Sequence, residues 1–359
     1  MGGLTPFHRK DVIIIACFHP LKAFPVGLNS SGKTNYKICS YGVDHIDVYD
    51  DGKLVPSSVP IQSSMAKSVV KDFIEIPCGN CIGCRIAYSK QWADRCMLET
   101  QYHDENYFLT LTYDDDHVPR SGYYDEETGE WFDTLTLRKK DLQKFHKDLR
   151  KKLYGSDKGE FRFFACGEYG DQTFRPHYHE IAFGLHVSDL RVYRVNPDGS
   201  VYYNSDFLSS VWKKGHVVIG QVTWQTSAYV ARYVMKKLKG EASEFYDLHG
   251  LEVPFILMSR RPGIGRKYYD EHPELFDKKC VYLSTDSGNR EIYPSKYFKN
   301  LLSIDDPEKY DILKERNKCL AELGRDNKLS FTDLDYLNYL SVEEETLERK
   351  LKALPRKEF

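Results

Sequence analysis

No long apolar run occurs in this sequence: the longest, from Val12 to Phe18, falls well short of the roughly 18 residues a membrane span needs. Asp11 heads that run and His19-Pro20 ends it where a small-residue cleavage site would stand, so it does not read as a secretory signal either. Cysteine is sparse and odd in number, nine in 359 residues, which argues against a secreted disulfide framework and for reduced thiols or metal ligands. An excess of one charge is also missing, since 51 Lys and Arg nearly cancel 53 Asp and Glu. These absences predict a cytoplasmic protein with no membrane contact. What is present, 41% hydrophobic and 29% charged residues, suits a packed globular chain of two or three domains and excludes the disordered class.

The charge that cancels overall is strongly segregated. Eight Lys or Arg face only Asp141 and Asp148 between Arg138 and Lys152, where Leu142, Phe145, Leu149 and Leu153 recur at helical spacing. This predicts an amphipathic helix with a basic solvent face, offering Arg138, Lys139, Lys140, Lys144 and Lys147 to phosphates. From Asp104 to Asp133, ten acids accompany a single Arg, Arg120, in a stretch that reads as a solvated loop. Strands are expected at Val12–Phe18, Tyr107–Tyr113, Phe161–Glu168, His177–Phe183 and His216–Thr223, and helices at Arg85–Tyr102, Lys139–Leu153, Asp206–Lys214 and Ser227–Lys239. The predicted class is α+β, with one antiparallel sheet carrying helices on one face. Three regions follow: 1–105 with the cysteine cluster, a core at 106–240, and a partly helical extension at 241–359. Within the extension, a capping box at Ser341 and Glu344 precedes an apolar row of Leu347, Leu351 and Leu354 that Leu340 begins, read as a packing or dimerising appendage.

The chemistry concentrates around His177-Tyr178-His179. On a strand the period of two sends both imidazoles to the same side. A turn beginning at Gly170-Asp171 brings Glu168 opposite His177, where paired residues share a sheet face with Cβ atoms about 4.5 to 5.5 Å apart. Glu168, His177 and His179 together offer one divalent cation three ligands. Downstream, Tyr229-Val-Ala-Arg-Tyr233-Val-Met-Lys236-Lys237 reads as a helix opened by Thr226 or Ser227. At about 100° per residue Tyr229, Tyr233 and Lys236 share one side and Val230, Ala231, Val234, Met235 and Leu238 the other, so the tyrosines are expected to face away from the core. A phenol is a poor nucleophile unless a metal polarises the phosphate it attacks and a cation relieves the charge, and this set contains both provisions.

These motifs resemble the HUH endonuclease superfamily, and within it the replication initiator proteins of microviruses, of the gokushovirus-type branch. Phe108-Leu-Thr-Leu-Thr-Tyr113 is similar to the first family motif, His177-Tyr178-His179 to the second and Tyr229 to Lys237 to the third. Cys78-Gly-Asn-Cys81-Ile-Gly-Cys84-Arg85, Phe163 to Gly170 and Ser259-Arg-Arg-Pro-Gly-Ile-Gly265 extend the likeness over about residues 75 to 270. The resemblance implies a ferredoxin-like nuclease core that nicks one strand at a viral origin and rejoins it during rolling-circle replication. It also implies Mg²⁺ or Mn²⁺ on Glu168, His177 and His179, Tyr229 and Tyr233 as nucleophiles, and Lys236 or Lys237 as an electrostatic helper. Its implied partners are viral origin DNA, single-stranded or supercoiled, and the host replication helicase and polymerase in the host cytoplasm. Arg232, Arg260 and Arg261 join the basic helix as expected DNA contacts. A non-catalytic single-stranded nucleic-acid-binding protein on a similar sheet is the competing class, and the His-Tyr-His strand counts against it. A two-histidine-one-carboxylate iron oxygenase fits the ligands but leaves the tyrosines without work.

Two further patterns need separating. Gly27-Leu-Asn-Ser-Ser-Gly32-Lys33-Thr34 matches a phosphate-binding loop, but a strand-like stretch from Asn35 follows where a helix must start, so the match is read as a decoy. Cys78, Cys81 and Cys84 have the spacing of a metal knuckle that lacks its fourth ligand. Cys96 lies too far along the predicted helix, and Cys17 or His19 is the better candidate for a structural zinc.

Overall fold

Short β-branched and aromatic runs build more sheet before residue 80 than the sequence reading anticipated. In a computed structural model that describes residues 17–30, 32–59, 66–155, 160–170, 172–232, 241–278, 280–285 and 288–352, these are β1 (Leu21–Leu28), β2 (Thr34–Ser40), β3 (His45–Val48), β4 (Leu54–Ser57), β5 (Ser68–Val70) and β6 (Ile74–Ile76). They pair as two antiparallel sheets in the orders β2-β1-β6 and β4-β3-β5. The expected strand at Val12–Phe18 is not seen: Cys17 and Phe18 are irregular, and the residues before them lie outside the described residues. The phosphate-loop match is the turn between β1 and β2, where the Lys33 amide donates to Asn29 Oδ1 at 2.9 Å and Thr34 opens a strand. No helix begins at Lys33, in agreement with its reading as a decoy.

After α1 (Ile82–Thr100) and β7 (Asn106–Thr112), the acid-rich stretch is not simply a loop. It contains a hairpin of β8 (Arg120–Tyr124) and β9 (Trp131–Leu135), because aromatic residues pair across it: Tyr123 stacks on Phe132 and Tyr124 meets Trp131 edge to face. Then come α2 (Lys139–Tyr154), β10 (Arg162–Tyr169), β11 (Pro176–Phe183), β12 (Arg191–Val195), β13 (Val201–Asn204), α3 (Asp206–Trp212), β14 (Val217–Gln221) and α4 (Trp224–Arg232). The chain continues through α5 (Glu241–Leu248), β15 (Phe255–Met258), α6 (Arg266–Glu271), the hairpin of β16 (Val281–Thr285) and β17 (Gly288–Ile292), and α7 (Lys296–Asp305). Last are α8 (Pro307–Leu329) and α9 (Tyr336–Lys352). None of the helices among the described residues is long and apolar enough to cross a membrane.

The described residues form a seven-stranded antiparallel sheet in the order β12-β13-β14-β7-β11-β10-β15. The class is α+β, as the strand and helix patterns predicted. The expectation of helices on one face is corrected, because strong apolar alternation on the inner strands leaves two faces to cover. On one face Leu142, Phe145 and Leu149 of α2 and Leu208, Val211 and Trp212 of α3 pack on Leu109, Leu111, Tyr178 and Ala182. On the other, Trp92 and Cys96 of α1 and Val230 and Ala231 of α4 pack on Phe108, Phe164, Ile181 and Phe183. At the sheet's outer edge β12 is exposed along its length, with a bulge between Val192 and Arg194.

By its internal contacts the chain divides into two units, Met1–Ala87 with Asp311–Phe359, and Tyr88–Tyr310. The expected capping box at Ser341 and Glu344 lies inside α9. Asp335 caps that helix instead, its carboxylate accepting the Leu337 and Asn338 amides at 3.1 Å each, so the helix starts a turn and a half earlier than the Ser/Glu pattern suggested. Leu340 is buried and Leu347 half-buried against the cysteine cluster, Leu351 is exposed, and Leu354 lies outside the described residues.

Beneath α2, Glu180 of β11 is wholly buried and its Oε2 is 2.8 Å from His146 Nε2. Removing one partner strands the other in the interior. His146→Ala should therefore destabilise the chain by about 3 kcal/mol, whereas His146→Leu combined with Glu180→Met should recover most of that loss. Urea unfolding followed by tryptophan fluorescence measures both, and equal losses in the single and double variants would contradict this account.

Candidate metal and tyrosine site

Strand β11 alternates, and the alternation divides its residues between two tasks. Tyr178 faces α2, where its hydroxyl accepts the Arg138 amide at 3.2 Å and lies 2.6 Å from the Tyr113 hydroxyl. Gly167 sits opposite Tyr178, and a Cβ there would come within 2.8 Å of the Phe255 ring and 3.2 Å of Tyr178, so only glycine leaves room for both rings. His177 and His179 point to the opposite face. Glu168 is the direct cross-strand partner of His177, a register held by the turn in which the Gly170 amide donates to the Arg175 carbonyl at 3.0 Å.

Glu168, His177 and His179 each present a ligand atom, all within 4.8 Å of one another. Glu168 Oε1 is 3.1 Å from both His177 Nε2 and His179 Nε2. The other ring nitrogens are engaged elsewhere: His177 Nδ1 with the Arg175 carbonyl at 3.0 Å, and His179 Nδ1 with Thr110 Oγ1 at 3.1 Å. That arrangement leaves both Nε2 atoms aimed inward, the orientation metal-ligating histidines take when an outer partner fixes the ring. Phe108 stacks on the His179 ring, with centroids 5.4 Å apart, and holds its plane. His179 is 3% exposed and its Nε2, despite its nearness to Glu168, makes no well-directed hydrogen bond.

Charge favours the same reading. Burial would raise the Glu168 carboxyl, but the His177 hydrogen bond and the nearness of both imidazoles outweigh it and bring it down to about 2. Burial lowers the basicity of His179, favouring the neutral ring that ligation requires. A buried carboxylate, two oriented imidazoles and an unsatisfied nitrogen fit one divalent cation.

Tyr229 of α4 reaches the same cluster. Its hydroxyl donates to Glu168 Oε1 at 3.2 Å and its ring meets His179 edge to face at 4.9 Å. The expectation that this tyrosine faces away from the core is corrected: the ring is half-buried against the α1–α4 side of the sheet, because α4 lies across β10 and β11. Val230 and Ala231 are fully buried, as their place on the helix predicted. Tyr233, Lys236 and Lys237 lie outside the described residues. Arg232 is exposed on the same face with its guanidinium 5.0 Å from the Tyr229 ring.

The expected DNA contacts do not all converge. Arg138, Lys140, Lys144 and Lys147 are exposed and Lys139 half-buried on or beside α2, on the sheet face opposite the histidines, and Lys144 is paired with Asp148 at 2.7 Å. Arg260 and Arg261 are exposed in the turn after β15, which returns to the histidine face, where the Ile264 carbonyl accepts from Arg95 at 2.8 Å. Thr110 and the Arg175 carbonyl escaped the sequence reading. Thr110 was findable, since its place in Phe108-Leu-Thr-Leu-Thr pairs it with His179 once β7 and β11 are neighbours.

Comparison with known proteins identifies the family. The family model for "Replication-associated protein ORF2/G2P" matches residues 106–238, which hold every residue of the cluster. The chain is 31% identical to "Replication-associated protein VP4" of Bdellovibrio phage phiMH2K over 81% of its own length and 85% of that protein. It is 28% identical to "Replication-associated protein ORF2" of Spiroplasma virus 4 over 95% of its length and 98% of that protein. No solved structure matches at a significant level. An identity of that degree, carried through most of both chains, together with a family-model match over the segment that builds the histidine cluster, places this chain in the family of phage replication-associated proteins.

Proposed function

We propose that this protein initiates rolling-circle replication of a circular phage DNA by nicking one strand at the origin and holding the 5′ end on a tyrosine. The observation that carries the reading is the Tyr229 hydroxyl, 3.2 Å from the carboxylate of a cluster suited to a divalent cation. Glu168, His177 Nε2 and His179 Nε2 would hold Mg²⁺ or Mn²⁺, which would supply Lewis-acid polarisation of the scissile phosphate. Tyr229 or Tyr233 attacks phosphorus as its phenolic proton passes to water, the P–O3′ bond breaks, and the phosphate stays on the phenolic oxygen as a 5′-phosphotyrosine. The freed 3′ oxygen takes up a proton and serves as primer for the host polymerase, while the host helicase opens the duplex, in the host cytoplasm. Because the new ester keeps the phosphodiester energy, attack by a 3′-hydroxyl reverses the step and joins strands without ATP.

The remaining residues divide the DNA between them. Arg232, beside Tyr229, and Arg260 and Arg261 hold phosphates near the cut, while Lys236 or Lys237 relieves charge at the attacked phosphate. The α2 lysines hold a separate stretch of DNA on the far side of the sheet, by a sequence-independent and salt-sensitive attraction. Two tyrosines four residues apart give the second cut a free nucleophile while the first still carries a 5′ end.

The test is incubation with a supercoiled circle of the encoding phage's DNA and Mn²⁺, followed by denaturing electrophoresis for a covalent protein–DNA band. His177→Ala and His179→Ala should each abolish the band and leave DNA binding in a gel shift largely intact. Tyr229→Phe should keep some nicking through Tyr233, and the double Phe variant none. Wild-type protein that binds DNA yet forms no covalent species with either metal would assign it to the non-catalytic binding class.

A subtler substitution addresses ring orientation. Thr110→Val removes the partner of His179 Nδ1 without touching a ligand, and should weaken Mn²⁺ binding by roughly 10- to 100-fold while the unfolding midpoint stays close to wild type. Calorimetric titration with Mn²⁺ reads the change, and unaltered affinity would show that Thr110 does not orient the ring.

A further inference from the structure

Outside the nicking site, one cluster of ligating side chains has no place in the proposed reaction. Cys17, Cys78, Cys81 and Cys84 come together in the first unit, with their sulfurs all within 4.8 Å of one another. We propose that these four cysteines are a tetrathiolate site for one structural zinc ion, which fastens the segment at Cys17 and the helix α9 to the knuckle that opens α1.

The geometry is that of one ion and four ligands. Zinc–thiolate bonds of about 2.3 Å in a tetrahedron space the sulfurs about 3.8 Å apart. Cys78 Sγ and Cys84 Sγ are 4.0 Å apart, and all four thiols are free of disulfides. An iron–sulfur cluster would need its cysteines spread around a cage of several atoms, whereas these converge on a point.

Backbone amides surround the sulfurs in the manner of a site built for negative charge. The Cys78 amide donates to Cys17 Sγ at 3.2 Å, and the Phe18 amide to Cys81 Sγ at 3.3 Å. The Asn80 and Cys81 amides donate to Cys78 Sγ at 3.4 and 3.3 Å, and the Cys84 amide to Cys81 Sγ at 3.4 Å. A neutral thiol is a weak acceptor, but a metal-bound thiolate takes such charge-assisted bonds readily. Gly79 has φ +79°, a conformation an L side chain rarely adopts, which lets the chain bend tightly enough for Cys78 and Cys81 to face one ion.

The surroundings show what the ion would hold. Leu340 is buried against the cysteines, with Tyr336, Tyr339 and Leu347 of α9 beside it and Phe18 alongside. His19, the other ligand candidate, is occupied elsewhere, with Nε2 2.6 Å from Glu344 Oε2 on α9. This apolar cluster is small, and a tetrathiolate zinc supplies the folding energy that a small core lacks.

The full chain, purified under reducing conditions without added metal, is the material for the test. Elemental analysis should find one zinc per chain, and titration with an organomercurial should release it to a zinc indicator. Protein grown with Co²⁺ should show the sulfur-to-cobalt charge transfer and intense visible bands of tetrahedral thiolate coordination, which a histidine–carboxylate site cannot give. The His177→Ala/His179→Ala variant should keep both signals, as should Cys319→Ser, whereas Cys17→Ser and Cys81→Ser should lose the charge-transfer band in part or whole. The wild-type zinc content and cobalt spectrum decide the matter whether or not the cysteine variants fold. Wild-type protein that holds iron, that holds no metal, or that gives a cobalt spectrum without thiolate charge transfer would overturn the proposal.

Discussion

The period of two along β11 is the constraint on which the rest of the second unit depends. With His177 and His179 on one face and Tyr178 and Glu180 on the other, the strand serves the site and the core at once. A slip of one residue would exchange the faces, burying imidazoles under α2 and placing Tyr178 and Glu180 beneath α4. Glu180's bond to His146 and Tyr178's bond to the start of α2 oppose that slip, so the buried polar contacts on the far face keep the imidazoles in register. The same logic explains why both faces carry helices: a strand this thoroughly buried must be covered twice.

Electrostatics then separates chemistry from affinity. The site concentrates one ionised, nearly inaccessible carboxylate between two rings, with a phenol as its third neighbour. A concentration of positive charge lies on exposed side chains of α2, across the sheet. A near-neutral chain can therefore still present a basic surface, because the local excess of acids between Asp104 and Asp133, around β8 and β9, cancels the excess of bases on α2 in the total. Whole-chain charge conceals this division and local charge exposes it.

Much of the site was legible because it rests on local rules. Strand alternation put the two histidines together, and a hairpin turn between two short strands set Glu168 opposite His177. Periodicity placed α2 and its buried Leu142, Phe145 and Leu149 equally well. What escaped depended on distant partners. The helical wheel put Tyr229 opposite Val230 and Ala231, yet could not say that α4 crosses β10 and β11, which turns a flank of that helix inward. The hairpin of β8 and β9 was hidden by its acids, since its stability comes from aromatic pairs across the strands rather than from hydrophobicity along them. Ser341 and Glu344 satisfied a capping pattern inside a helix that had already begun at a different acceptor, Asp335. Short-range patterns locate a possible boundary, and the competing acceptor decides it.

The outer strand β12 has a consequence of another kind. A sheet edge displays unpaired amide and carbonyl groups, and a straight edge is a template on which a second molecule can lay its own strand. Here the edge is short, carries Arg191 and Arg194, and is bent by a bulge between Val192 and Arg194. Those three features interrupt the hydrogen-bonding ladder and set like charges against any identical strand that approaches. The sheet thus terminates at β12 in a short, bent and charged edge, and that edge works against a second strand even though Val192, Tyr193 and Val195 are exposed along it.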